Sequence, residues 1–372
     1  MKHDWEASLA RLVTTMMGGT PDRVPLGFLA SEDIASRISG LTIREMLASP
    51  QKLADLSIEV CEVLGGDTAS VVANPYCGPY EGLAFAAANG KPEAFQWKDY
   101  STPFLKEGLV CATETDIEQL EIPDHRRLEP WPTILEATAM VAERTGIPSN
   151  FAPSLTWSSV QMLRGSQAYM DVIESPELLL ALCEKIYASQ WDYYQAYCSI
   201  VGKPLYAFNC QYAFNRTMLR FEDAWKFEGQ FVNRFCKQAG IPLGIHNCGF
   251  DPYWIELIER HRAEGVEVIL VNGSHPLDLD QWVTFREKYP QIVISGASVF
   301  VNAELENGKP RDVAERVREN IEKLAPYGRF MIMPVCCMPW RVPLANIFAL
   351  REAVEEYGRY PIARSSQSGL EG

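Results

Sequence analysis

The chain is 372 residues long, 47% hydrophobic and 22% charged, an ordinary globular balance with ample material for a core. Its formal net charge of −14 argues against a nucleic-acid backbone as partner, and disfavours a polyanionic substrate unless a local basic pocket overrides the global field. No apolar run reaches the roughly 18–20 residues that span a bilayer, and the opening Met1-Lys2-His3-Asp4-Trp5-Glu6 has no apolar signal core, so a soluble, cytoplasmic protein is expected.

Residues 4–17 carry apolar positions at helical spacing and predict an N-terminal helix stopped by Gly18-Gly19. Short apolar runs then alternate with longer amphipathic stretches. The strand candidates are 24–28, 68–73, 149–153, 205–208, 241–245, 266–271, 292–295 and 330–333. Between them, helical patterns cover 42–64, 134–145, 160–201, 221–239, 252–264, 310–324 and 343–357. Eight strands interleaved with helices predict an α/β fold, a (β/α)8 TIM barrel with an N-terminal helical extension. A doubly wound open sheet is the alternative, because strand number does not establish closure. One barrel domain is expected over 1–364, with its extra helix within 1–20 and an unstructured tail at 365–372. The segment 74–124, with Pro75, Gly78, Pro79, Gly82, Pro92 and Pro103, is expected to be irregular or a small hairpin cap. Segments of that length in a compact domain usually serve as lids or binding loops.

The ten cysteines are scattered through apolar segments, without the dense spacing of a secreted disulfide scaffold. Cys61, Cys183, Cys198 and Cys236 lie on helical patterns and are expected to be reduced core residues. The tripeptide His246-Asn247-Cys248, followed by Gly249, stands apart. With five His and ten Cys, a His-x-Cys arises by chance only about 0.1 times in such a chain. It comes directly after the fifth strand candidate, and Cys336 of the pair Cys336-Cys337 comes after the eighth. Barrel chemistry sits at the C-terminal ends of strands, so both halves fall on one face. One imidazole and two thiolates with an open fourth position are the donor set of a catalytic zinc. The competing reading makes His246 a core histidine and Cys248 a buried filler. His3, His125, His261 and His275 have no Cys at ligand spacing and are expected on the surface or in loops.

From these residues outward the chain resembles the uroporphyrinogen decarboxylase superfamily, and within it the zinc-dependent corrinoid methyltransferase branch. The resemblance runs through Gly19-Thr20-Pro21-Asp22-Arg23-Val24-Pro25, Leu64-Gly65-Gly66-Asp67, Thr115-Asp116-Ile117-Glu118-Gln119-Leu120 and Leu163-Arg164-Gly165. Its most specific parts are His246-x-Cys248-Gly249 and Cys336-Cys337-Met338-Pro339-Trp340-Arg341-Val342-Pro343-Leu344-Ala345-Asn346. The latter is similar to the family's Gly-Cys-x-Ile-Pro-Pro-x-Thr-Pro-x-x-Asn, with Cys336 on the ligand position and Val335, Trp340 and Val342 in place of Gly, Pro and Thr. The decarboxylases carry an arginine-rich motif after the first strand to grip porphyrin carboxylates. Here that place holds Gly27-Phe28-Leu29-Ala30-Ser31, without arginine.

The resemblance implies a zinc ion on His246, Cys248 and Cys336, a separate corrinoid protein as partner, and a small methyl donor or acceptor. No cobalt-binding Asp-x-His-x-x-Gly occurs in the chain. A homodimer is left open, and neither nucleic acid nor membrane is expected as partner. Substrate contacts are expected from Asn209, Gln211 and Tyr212 after the fourth strand, Trp157 after the third, and Phe250 behind the metal motif. An aromatic mouth without an anion clamp favours an aryl methyl ether, demethylated in an anaerobic setting, over a coenzyme M-type thiol. A decarboxylase-like lyase is the third reading.

Overall fold

Five parallel strands make the continuous part of the central sheet in this computed structural model, which describes residues 3–28, 31–73, 79–101, 104–106, 109–149, 151–297 and 299–362. In chain order the described strands are β1 (Phe95–Gln96), β2 (Phe104–Leu105), β3 (Ala207–Cys210), β4 (Leu243–Asn247), β5 (Val268–Gly273), β6 (Val293–Ser295) and β7 (Phe330–Met331). β1 and β2 form a separate antiparallel hairpin, and β3 to β7 pair in sequential order. β5 is apolar along Val268-Ile269-Leu270-Val271, as a strand covered on both faces must be.

Shorter contacts continue the sheet at both ends. Leu26 bridges Ile332 in parallel, with Gly27 N–H donating to Ile332 O at 2.8 Å and Ile332 N–H to Pro25 O at 2.9 Å. Asp67 N–H donates to Leu26 O, and Phe151 bridges Ala207 in parallel. The first expected strand therefore lies between the eighth and the second, and the third lies beside the fourth. With the helices interleaved, this is the (β/α)8 fold.

The helical pattern at 160–201 divides into Trp157–Arg164, Gln167–Glu174 and Pro176–Ile200. Gly165, at φ 65°, ends the first, and Pro176 starts the third where its missing N–H costs nothing. The stretch 42–64 divides the same way at Ser49-Pro50, into Ile43–Met46 and Pro50–Leu64. In the expected cap segment the hairpin is present, but so is an unexpected helix, Pro79–Ala88. Its sequence, Gly-Leu-Ala-Phe-Ala-Ala-Ala after the first turn, is apolar nearly all round and has no helical period to read. Pro75 and Gly78 of that segment, and the tail 365–372, lie outside the described residues.

The helix Trp5–Met16 is fastened under the barrel by one buried carboxylate. Asp67 accepts from Ser8 Oγ at 2.9 Å, Arg11 Nη1 at 3.0 Å, Arg23 Nη1 at 2.7 Å and Leu26 N–H at 2.8 Å. The segments around Arg23 and Asp67 that carry the sequence resemblance are thus a structural node joining the extra helix to the first two strands. Arg164 is similar: it holds Asp171 at 2.7 Å and the carbonyls of Cys111 and Ala112.

Candidate metal centre

Residues paired across parallel strands share a face, and positions two apart on one strand share it too. The register therefore stacks two inward rows. The lower is Phe208, Gly244, Leu270 and Val293; the upper, two residues further on, is Cys210, His246, Asn272 and Ser295. Phe208, Leu270 and Val293 pack with Met331 and Met333 into an apolar barrel floor. Polar chemistry begins one row higher, at the C-terminal ends of the strands.

At that row and just beyond the end of β4, the donor atoms of Cys210, His246 and Cys248 all lie within 4.8 Å of one another. Zinc–sulfur bonds near 2.3 Å in a tetrahedron set donors about 3.5–3.8 Å apart, so one ion fits among them. His246 Nδ1 is 2.7 Å from Asn272 Oδ1, which accepts only if Nδ1 carries the proton. The free electron pair is then on Nε2. Asn272 in turn donates from Nδ2 to Ser295 Oγ at 3.0 Å. The imidazole is fixed by a polar relay running along the row.

Asn247, the middle residue of the tripeptide, explains the local backbone. Its Nδ2 donates to Gln211 O at 2.9 Å, and its Oδ1 accepts from Gly249 N–H at 2.9 Å and Asn215 Nδ2 at 3.0 Å. Gln211 N–H also donates to His246 O at 2.8 Å. The exits of β3 and β4 are thereby stapled together, with Cys210 on one and Cys248 on the other. A Cβ on Gly249 would stand 2.0 Å from the Asn215 amide, so the residue after Cys248 must be glycine.

Cys336 arrives from the far side of the barrel. The helix Glu32–Ser39 and its N-cap hold its segment: Ser31 Oγ donates to Met338 O at 2.7 Å, Trp340 N–H to Asp33 Oδ2 at 2.8 Å, and Arg37 Nη1 to Trp340 O at 2.8 Å. The Cys336 sulfur meets Cys248, Cys337 and His246. Cys337 packs beside the apolar floor. The four donors are electrostatically uneven. Cys248 lies against the sulfurs of Cys210 and Cys336, and these, with its burial, hold its thiol well above the usual range. Cys210 is pushed down to about 5 by its hydrogen bond with Cys248, against its burial and with help from His246. Cys336 is likewise held well below the thiol range, by Cys248 first. Burial opposes a charge on His246, but the Cys210 and Cys336 sulfurs raise it well above the usual imidazole value. Negative charge thus gathers where a cation would replace the protons of His246 and Cys248.

The model of the uroporphyrinogen decarboxylase (URO-D) family matches residues 8–357. The chain belongs to the URO-D family. A solved structure of a methyltransferase from Methanosarcina mazei superposes on it with a TM-score of 0.72 at 18% identity, covering 94% of this chain and 98% of that one. At that identity the likeness concerns the fold. No curated protein matches the sequence.

Within this URO-D framework the expected substrate residues divide. Phe250 stands at the rim, 68% exposed, with its ring 5.1 Å from His275 and 6.1 Å from Phe300. These three follow β4, β5 and β6, so they line one side of the mouth. Tyr212 is half-buried beside Cys210, its hydroxyl raised by burial and by Glu228. Asn209 and Gln211 sit elsewhere than expected, because Phe208 and Cys210 are the inward positions of that strand. Asn209 Nδ2 holds Pro153 O at 2.7 Å, and Gln211 Oε1 lies 3.1 Å from His261 Nε2 in the helical layer. Trp157 is fully buried between Tyr169 and Phe227. His125 and His261 are buried rather than superficial: His125 bridges Glu81 at 2.9 Å and Asp192 at 3.0 Å.

Two residues escaped sequence reasoning. Cys210 had no role assigned from the sequence, and its available signal was the Phe208-x-Cys210 alternation beside His246-x-Cys248. Glu228 is fully buried in a π-helical turn, Trp225–Gly229, and neither carboxylate oxygen has a well-formed hydrogen bond among the described residues. Burial, then the nearby Cys210 sulfur, hold it well above the carboxylate range, against the backbone N–H groups of Trp157 and Ala213. π-helical turns often mark functional sites, and this one aims an acid at the strand that carries Cys210.

Proposed function

We propose that this URO-D-family protein is a zinc-dependent methyltransferase, moving a methyl group between a small substrate and the cobalt of a corrinoid carried by a separate protein. The observation that supports it is the cluster of Cys210, His246 and Cys248, with Cys336 alongside, at the C-terminal mouth of the barrel. Its donors fit zinc by type and spacing, and Asn272 frees the correct imidazole nitrogen. His246, Cys248 and Cys336 would hold the ion. Bound there, zinc supplies Lewis acidity toward the oxygen or sulfur that gives up or takes the methyl group. Phe208, Leu270 and Val293 close the site from below against water. Phe250, His275 and Phe300 offer ring faces and edges to the substrate from the side. That rim favours a neutral aryl methyl ether as substrate over a sulfonate-bearing thiol.

Among the described residues, the buried arginines give the lyase reading no carboxylate grip. Arg23, Arg164 and Arg286 are buried, but Arg23 holds Asp67, Arg164 holds Asp171, and Arg286 donates to Ile292 O and Arg329 O. Arg37, by the Cys336 segment, is tied to carbonyls. The test is direct. Zinc analysis is expected to find about one ion per chain, and mixing with cob(I)alamin and methoxyarenes, methylamines, methanol or thiols is expected to produce the methyl-cobalamin spectrum with one class. A metal-free protein, or spectra unmoved by every class, removes the proposal.

A further inference from the structure

We propose that Cys210 is a direct ligand of the ion, so that the resting centre is closed by three thiolates and one imidazole, and substrate enters by displacing Cys210. This rests on the zinc reading above and specifies its fourth position. Cys210 is the β3 neighbour of His246 in the register, and its sulfur belongs to the set confined within 4.8 Å. No adjustment of strand pairing is needed to bring it to the ion.

The thiol's surroundings separate it from the packing cysteines. Cys183 gives its S–H to Phe227 O at 3.4 Å, and Cys61 points to Ser70 O at 4.0 Å. Both are disposed of by a backbone carbonyl, as buried thiols usually are. Cys210 instead faces Cys248 and His246, the two residues with the strongest claim to the metal. Its backbone is also tied to theirs, through Gln211 N–H to His246 O and Asn247 Nδ2 to Gln211 O. A strand exit stapled this way carries its sulfur with the site instead of apart from it.

Charge gives the exchange its direction. Zinc with three thiolates and a neutral imidazole carries −1, whereas two thiolates leave it neutral and more electrophilic. Cys248 is braced by Asn247 and Gly249, and Cys336 by Ser31 and Asp33 through their segment. Departure of Cys210 would leave His246, Cys248 and Cys336, the set expected from the sequence, in place. A thiol substrate would give its S–H proton to the Cys210 sulfur and leave the thiolate count unchanged, whereas a neutral ether oxygen in the place of Cys210 would leave two thiolates on a neutral centre, with Cys210 released as a thiolate.

The experiment is zinc K-edge X-ray absorption on the zinc-loaded protein and on Cys210→Ser, with zinc content measured on both. The wild type is expected to show three sulfurs and one nitrogen; Cys210→Ser is expected to keep its zinc and show one sulfur fewer. Two sulfurs in the wild type, unchanged in the variant, overturn the inference while leaving the zinc reading intact. Absence of zinc from the wild type defeats the reading itself. Should Cys210→Ser misfold by circular dichroism, the wild-type count decides alone: three sulfurs support the inference and two refute it.

Discussion

Replacing Asn272 by alanine isolates one hydrogen bond in the proposed centre without touching a donor. The 2.7 Å contact from His246 Nδ1 to Asn272 Oδ1 is buried and turns Nε2 of the ring toward the thiols. Removing the acceptor strands the Nδ1–H, a loss of about 1.5–3 kcal/mol for a buried bond that becomes charge-assisted when the ring is polarised. At about 1.4 kcal/mol per factor of ten, zinc affinity should fall roughly 10- to 100-fold, the usual effect of losing a partner behind a metal-bound histidine. Ser295 Oγ keeps Val271 O as an acceptor at 3.4 Å, so damage along the relay stops there. The assay is competition for zinc against a chromophoric chelator, with circular dichroism as the folding control. Asn272→Asp should retain or improve affinity, since a carboxylate accepts the same proton more strongly. A folded Asn272→Ala protein with wild-type zinc affinity would refute the argument that Nε2 is the donor.

Cys248→Ala should lose zinc altogether and, with it, any corrinoid-dependent turnover, measured by metal analysis and absorbance. Glu228→Gln tests the buried acid. A carboxyl raised in the fold keeps its proton where the unfolded chain, at 4.5, has lost it. Stability must therefore fall as pH rises above 4.5 toward the raised value, by up to about 1.4 kcal/mol per pH unit. Denaturant unfolding of Glu228→Gln should show a flatter profile and greater stability at neutral pH; parallel profiles would sink the idea. His125 has the opposite charge type. Burial works against its proton, but Glu81 and Asp192 raise it to about 9, so its contribution is full below 6.5 and is lost as pH climbs to 9. His125→Gln should lose that alkaline slope in melting temperature. Phe250→Ala, at the exposed rim, should raise KM for an aromatic substrate several-fold, consistent with one lost ring contact of about 0.5–1.5 kcal/mol, with zinc content unchanged.

The barrel and the His246–Cys248 pair were legible because both depend on local order. Apolar runs such as Val268-Ile269-Leu270-Val271 announce buried strands, and a His-x-Cys at a strand exit places both side chains on one face. Cys336 was expected by the same logic applied to another strand end, while the donors found within 4.8 Å of one another are Cys210, His246 and Cys248. Cys210 was not legible, since a lone cysteine next to aromatic residues reads as core until the neighbouring strand's register is known. That register, Cys210 against His246, is a non-local fact. The same ignorance put Asn209 and Gln211 at the mouth: choosing the inward parity of β3 requires knowing which of Phe208 and Asn209 meets the floor. Helix Pro79–Ala88 escaped for the opposite reason, having too many apolar faces to show a period.

The change of polarity between the two inward rows ties these residues to chemistry. One step of two residues along a strand is about 7 Å, and over that distance the interior passes from Phe208, Leu270 and Val293 to Cys210, Asn272 and Ser295. The floor contributes no hydrogen-bonding side chain of its own, so the row above it must satisfy its polar groups internally. It does so as far as His246, Asn272 and Ser295 go; the sulfurs of Cys210, Cys248 and Cys336 face one another, His246 and, at Cys336, the Cys337 thiol. An assembly that holds more negative charge than its protein partners neutralise, above an apolar base that weakens water's screening, has a strong reason to bind a cation. A bound divalent ion would remove that deficit, and on the proposal above a donor atom of the substrate would compete with Cys210 for its place.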